Sequence, residues 1–151
     1  MTAAPLPRLR PAGPWNVEEV ASSRSRATLR LRHGDGPDTV VEVERCAAGR
    51  LRGTYPAGRH DIEIAITRPG GPEAEVLRRM VAAIWSVDSR CRRIVLALSP
   101  GDRRGAEAAL AAGFRYGVDV DVPGAGTVDL FVIEPDWAVG VGVDVERVPT
   151  D

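Results

Sequence analysis

Between Asp61 and Ile84 the period of the apolar residues changes from two to about 3.6, across the four residues Pro69-Gly70-Gly71-Pro72. In "DIEIAI" (Asp61 to Ile66), Ile62, Ile64 and Ile66 share one strand face, and Asp61, Glu63 and Ala65 share the other. From Pro72 onward, Val76, Leu77, Met80, Val81 and Ile84 form one helical stripe. Pro72 suits a first helical turn, where its missing N–H costs nothing. A strand delivered straight into a helix restricts the chain to folds of the α/β kind. Whether the junction cradles a ligand or is only a tight αL turn is open at this point, since glycines serve both.

The remaining segments extend that frame. "ATLRLR" (Ala27 to Arg32) and "TVVEVERC" (Thr39 to Cys46) alternate around the Gly-rich "HGDGPD", which reads as an antiparallel hairpin. "RLRGTYP" reads as a third strand or its extension. "RRIVLALSP" is nearly unbroken in apolarity, as expected of a strand buried on both faces. "GDRRGAEAALAAGF" reads as a helix with Asp102 as N-cap and Gly113 as its stop. "YGVDVDV" and "TVDLFVIE" alternate around "PGAG", a second hairpin. "PWNVEEVASS" (Pro14 to Ser23) reads as a short helix, with Asn16 as cap and two acids in its first turn. The first and last dozen residues read as loosely held ends. The sum is an α/β chain with a mixed, twisted sheet of about six to seven strands, flanked by two to three helices, whose helix-linked strands pair by right-handed crossover.

Composition removes several functions. Net charge is −1 over 151 residues, so there is no electrostatic footprint for nucleic acid. All twenty basic residues are arginine, which excludes lysine nucleophiles and Schiff bases. Cys46, Cys91, His33 and His60 are isolated in sequence, not clustered as metal ligands are, and the cysteines read as apolar fillers. "MTAAPLPRLRPAGPW" lacks the uninterrupted apolar stretch of a signal peptide, and no run approaches a membrane span. A soluble, cytoplasmic protein is expected.

The junction "Arg68-Pro69-Gly70-Gly71-Pro72-Glu73" resembles the acetyl-CoA loop of the GNAT superfamily of N-acetyltransferases, R/Q-x-x-G-x-G/A after the fourth strand. Arg68 and the first glycine stand in register, Val76 and Leu77 match apolar helix positions, and Glu73 departs from the small final residue. "AALAAGFRYG" is similar to the end of the family's fourth helix, which closes on Gly-Phe. The order of elements matches from about Pro7 to Glu134, with 135–151 a tail or edge strand, "PRLRPAGPWNVEEVA" standing for an opening strand and first helix, and the N-terminal helical part shortened.

The resemblance implies a single GNAT-like domain that transfers an acyl group from acetyl-CoA to a small-molecule or peptide amine by direct attack. It places the pantetheine arm between splayed strands against Ile64, Ala65 and Ile66, with the oxyanion held by a backbone N–H near Ile66. It places the pyrophosphate against Arg68, Gly70, Gly71, Glu73 and Ala74 at the helix start. Glu63, on the polar face of the fourth strand, takes the part of general base, against the plainer reading of a solvated strand acid.

Three departures bear on chemistry. Glu73 sets a carboxylate where phosphates would lie, and Pro72 removes one donor. Ala109 stands where many members carry a general-acid tyrosine, and Asp102 where they carry an asparagine. Tyr116 is the candidate replacement, Tyr55 the other tyrosine, and His60 a possible auxiliary base, each set against a plain structural role. Only about ten residues before Ala27 read as helix to wall an acceptor pocket, which is then open, completed by a partner chain as in a homodimer, or absent.

Two rivals follow: a catalytically impaired CoA-sensing or protein-interaction module, and an unrelated α+β domain in which the junction is only a turn. "VGVGVDVERV" (Val139 to Val148) also resembles the metal-binding strand of phosphopantetheinyl transferases, with Asp144 and Glu146 two apart for Mg²⁺. That family continues well past such a strand and this sequence ends at Asp151, so no metal site is assigned.

Overall fold

The computed structural model describes residues 2–11 and 13–136. Seven strands form one sheet in the order β1-β2-β3-β4-β5-β7-β6: β1 Trp15–Ser22, β2 Arg26–His33, β3 Thr39–Arg45, β4 Ile62–Arg68, β5 Ile94–Leu98, β6 Arg115–Val122 and β7 Gly126–Ile133. Helix α1 spans Glu73–Val87 and helix α2 Arg103–Ala111. All neighbouring strands are antiparallel except β4 and β5, the parallel pair that α1 connects. β5 and β6 are also joined by a helix but do not pair, because β7 lies between them. This mixed sheet with two helices is the α/β architecture the sequence predicts.

The period change at 61–84 builds the main core. Ile62 and Ile64 of β4 and Val76, Leu77, Met80 and Ile84 of α1 are all essentially inaccessible to solvent, packed with Leu29, Leu31, Val41 and Val43. Full burial of one such side chain contributes roughly 1.5–3 kcal/mol. Asp102 caps α2 by accepting from the Gly105 N–H at 2.9 Å, and Gly113 stops that helix at φ +99°.

Three expectations are corrected. The helix expected over Pro14 to Ser23 is strand β1, paired with β2 along its length and tied by a 2.7 Å Glu18–Arg30 ion pair. Backbone pairing along β2 outweighs a plausible cap in a segment with only two inward apolar residues, Trp15 and Val17. "RLRGTYP" is neither a strand nor an extension of one but a series of turns that buries Leu51. The N-terminal residues are held: the Ala4 N–H donates to the Arg59 carbonyl, the Leu6 N–H to Arg24, and Leu9 lies in the core. Residues 139–148, with Asp144 and Glu146, lie outside the described residues.

A second, smaller core covers part of the opposite sheet face. There the segment 46–57 folds back so that Cys46 and Leu51 pack on Val95, Val122, Val128 and Leu130. Both α-helices contribute to the main core, so among the described residues this other face is left open beyond that segment.

Candidate functional site

The parallel β4–β5 ladder is short. It pairs Ile62 with Ile94, Glu63 with Val95 and Ile64 with Leu96, and ends there. Ala65 and Ile66 remain paired to β3, and Ala97 and Leu98 to β7, so each strand continues with its other neighbour while the two part from one another. A wedge opens between them, and along its edges the β4–β5 ladder no longer pairs the backbone N–H and C=O groups of the described residues. The wedge leads into a cleft of about 430 Å³ bounded by Ala65, Ile66, Glu73, Leu96, Leu98 and Ser99 among others. Of the residues predicted to bind CoA, Ala65, Ile66 and Glu73 line this cleft. Ile64 is buried in the core behind it, and Arg68, Gly70, Gly71 and Ala74 do not line it.

Neither junction glycine has a positive φ, so the turn is not of the αL kind. Gly70 instead lies against the start of β3, where an added Cβ would come within 2.5 Å of the Asp38 carbonyl carbon. At Gly71 an added Cβ would meet nothing closer than Thr39 Oγ1 at 3.7 Å. The N-terminus of α1 has no side-chain cap, and both acids of its first turn are neutralised. Glu75 pairs with Arg78 and Arg79, and Glu73 with Arg104 of α2 at 3.0 Å. The carboxylate that the sequence sets against an anion is thus screened by a guanidinium that also lines the cleft.

On the open face, a cavity of about 630 Å³ meets the cleft, since Arg50 and Ala65 line both. Its charged wall comes from three strands and one loop: Arg26 of β2, Glu42 and Glu44 of β3, Glu63 of β4, and Arg50 and Arg52 of the segment after β3. Glu63 is on the predicted face but is buried, 5% exposed, not solvated. Arg50 holds it through Nη2 at 2.7 Å and Nε at 3.2 Å, both to Oε2. Glu42 is held by Arg26 at 2.7 Å. Burial pushes the Glu44 carboxyl above its ordinary value, against the opposing pull of Arg26 and with reinforcement from Glu63 and Glu42.

The other candidates stand elsewhere. Tyr116 is exposed on β6 and donates to Asp119 at 2.7 Å; that hydrogen bond raises its pKa. It lines neither the cleft nor the charged cavity. Tyr55 donates to Asp61 under the second core, with its pKa pushed up by burial. His60 lies 3.8 Å from Asp88, beside a buried Arg45–Asp88 ion pair at 2.7 Å, and lines neither space. Ala109 is fully buried in the core. Burial pushes the thiols of Cys46 and Cys91 upward, Cys91 to about 12, as befits apolar fillers.

Arg50, Arg104, Glu42 and Glu44 are absent from the sequence-derived site. The alternation of "VEVER" puts Glu42 and Glu44 on one strand face, which the β3–β4 register then shares with Glu63, while no local pattern marks Arg50 or Arg104.

No protein-family model matches the chain, and no curated protein matches it in sequence. Solved structures do match its fold, and their acetyltransferases are of the GNAT kind. The aminoglycoside acetyltransferase AAC(6')-Ib in complex with coenzyme A and kanamycin superposes with a TM-score of 0.65 at 15% identity, over 74% of this chain and 68% of that one. The RimJ protein of Mycobacterium smegmatis in complex with CoA-disulfide gives 0.54 at 13% identity, over 74% and 54%. An acetyltransferase from Thermus thermophilus gives 0.51 at 18% identity, over 74% and 65%. The protein therefore has the fold of the GNAT acetyltransferases.

Proposed function

We propose that this protein is an acyl-CoA-dependent N-acyltransferase that passes an acetyl group from acetyl-CoA to a small-molecule or peptide amine. The observation that carries this reading is the parting of β4 from β5 into a cleft that meets a charged cavity on the far face. An extended thioester arm lies in the wedge and pairs its amides with the free backbone edges at Ala65 and Ile66. The pyrophosphate sits toward the uncapped start of α1, where Arg104 turns from Glu73 to meet it. The acceptor amine enters from the open face. Solved relatives in fold carry coenzyme A and an aminoglycoside in one complex, which supports this division of the site.

The chemistry needs few groups. The amine lone pair attacks the thioester carbonyl carbon, and a backbone N–H near Ile66 receives the developing oxyanion, a donation worth about 3–4 kcal/mol where it has been removed elsewhere. The C–S bond then breaks and CoA leaves as a thiolate, which takes its proton from water because Ala109 offers none. The amine surrenders its proton to a carboxylate of the cavity wall. Glu63 fills that part only through a water or after release of Arg50, which it otherwise anchors at the cavity floor.

The reading includes a cytoplasmic protein acting without membrane or nucleic acid, in keeping with its near-neutral charge. A homodimer in which a second copy walls the open cavity belongs to it as well. The buried Ala109 and the Glu73–Arg104 pair favour one alternative, a CoA-binding module without turnover. The two separate on thiol release from acetyl-CoA in the presence of spermidine, glycinamide, a short peptide and kanamycin. Amine-dependent release supports the transferase. CoA binding with no release above the amine-free rate supports the module.

A further inference from the structure

The cavity wall holds three carboxylates, and two of them are already spoken for. Glu63 is gripped by Arg50 and Glu42 by Arg26, each at 2.7 Å. Glu44 lies directly across from Glu63 in the β3–β4 register and across from Arg26 in the β2–β3 register. Arg26 and Arg50, the two arginines whose charge acts on it, are turned to other partners, and no ion pair to Glu44, from these or from Arg52 of the same wall, forms among the described residues. Its carboxylate rests against Gly49, where an added Cβ would overlap it. The cavity it faces meets the cleft at Ala65 and Arg50.

We propose that Glu44, rather than Glu63, is the base that receives the acceptor's proton. This rests on the acyltransferase reading above and deepens it. An amine approaching as the ammonium ion finds in Glu44 the one wall carboxylate not already matched by an arginine. Glu44 first pairs with the ammonium ion, then takes one proton as the nitrogen lone pair is freed. After the C–S bond breaks, the second amine proton and the one on Glu44 pass to solvent, and the thiolate recovers one from water. Every proton is accounted for without a tyrosine. Glu63 is a positioning residue that keeps Arg50 off Glu44.

The groups facing Glu44 set its charge: Arg26 from β2, Glu42 from β3, Glu63 from β4 and Arg50 from the following segment. Burial and the two neighbouring acids outweigh the arginines, and the carboxyl is held above its ordinary value. A weaker acid is a stronger base once ionised, which suits proton abstraction.

The test is the pH profile of kcat/KM for acetyl transfer to the best amine of the panel, with wild type, Glu44→Gln, Glu63→Gln and Gly49→Ala. Acetyl-CoA affinity of each is measured in parallel. Glu44→Gln is expected to lower kcat by about 10²–10⁴-fold, to abolish the carboxyl-range limb of the profile, and to bind acetyl-CoA as wild type does. Glu63→Gln should keep that limb but move it to lower pH, since Arg50 is then free to turn to Glu44 and a neighbouring negative charge is gone. Gly49→Ala, which displaces the Glu44 carboxylate without removing it, should lower kcat with the limb retained but shifted. Wild-type turnover with an unaltered profile in Glu44→Gln would overturn Glu44 alone. Acetyl-CoA binding with no transfer by wild type to any amine would overturn it together with the reading on which it rests.

Discussion

Gly70→Ala separates a glycine kept for the fold from one kept for a ligand. The methyl group would lie within 2.5 Å of the Asp38 carbonyl carbon and 3.2 Å of the Thr39 nitrogen. Those are backbone atoms, and they are poorly placed to retreat. Asp38 is tied to Arg32 at 2.8 Å, and Thr39 begins the β3 ladder opposite Leu31. The 69–72 turn must move instead, which drags on the start of α1. Overpacking of this kind costs about 1–3 kcal/mol. At this chain length each kcal/mol lowers the melting temperature by about 2–4 °C, so a fall of roughly 2–12 °C is expected by calorimetry or circular dichroism. Gly71→Ala is the control. Its methyl would have ordinary room, its φ is not positive, and the stiffer unfolded chain should leave stability unchanged or raised by up to about 1 kcal/mol. Equal melting of Gly70→Ala and wild type would refute the packing argument, and would do so most pointedly if both variants lost acetyl-CoA affinity.

Three further outcomes are expected. Asp88→Ala strands the buried Arg45 guanidinium and should lower stability by about 3–5 kcal/mol, read from the denaturant midpoint. Native protein at pH 8 should resist iodoacetamide at both cysteines, because burial holds the thiols protonated, whereas unfolded chain should react at both. Glu44 has a folded pKa above its unfolded one, so the folded state binds the proton more tightly and the wild type loses stability as pH rises from about 4.5 through that raised value. Glu44→Gln carries no such loss, and its stability relative to wild type should improve over that window in urea melts at successive pH values.

What was legible in the sequence follows from where the information lies. The β4–α1 junction could be read because its two periods are local and both faces meet a core: Ile62, Ile64, Val76 and Ile84 announce themselves by spacing alone. The cap at Asp102 and the stop at Gly113 were equally local. β1 imitates a helix in sequence because an edge strand buries little. Its identity comes from pairing with Arg26–His33, a non-local fact that Asn16 and two acids imitate as a helix start. The site was only half visible. Glu63 could be named from its face, but Arg50 reaches it from thirteen positions earlier along a chain that doubles back, and Arg104 reaches Glu73 from another helix. Sequence alone allows Gly70 as room for phosphate or as an αL turn, while the structure gives it a third reason, the close passage of β3.

The central claim is that the wedge between β4 and β5 receives acyl-CoA, and calorimetric titration of the purified chain with acetyl-CoA tests it most directly, alongside the Ala65→Trp variant that fills the cleft. Saturable one-to-one binding is predicted, with a rise in melting temperature of roughly 5–10 °C at about a hundred times the dissociation constant, and with both effects lost in Ala65→Trp. Absence of binding heat and of any thermal shift for the wild type would contradict the account and leave a GNAT fold without its ligand.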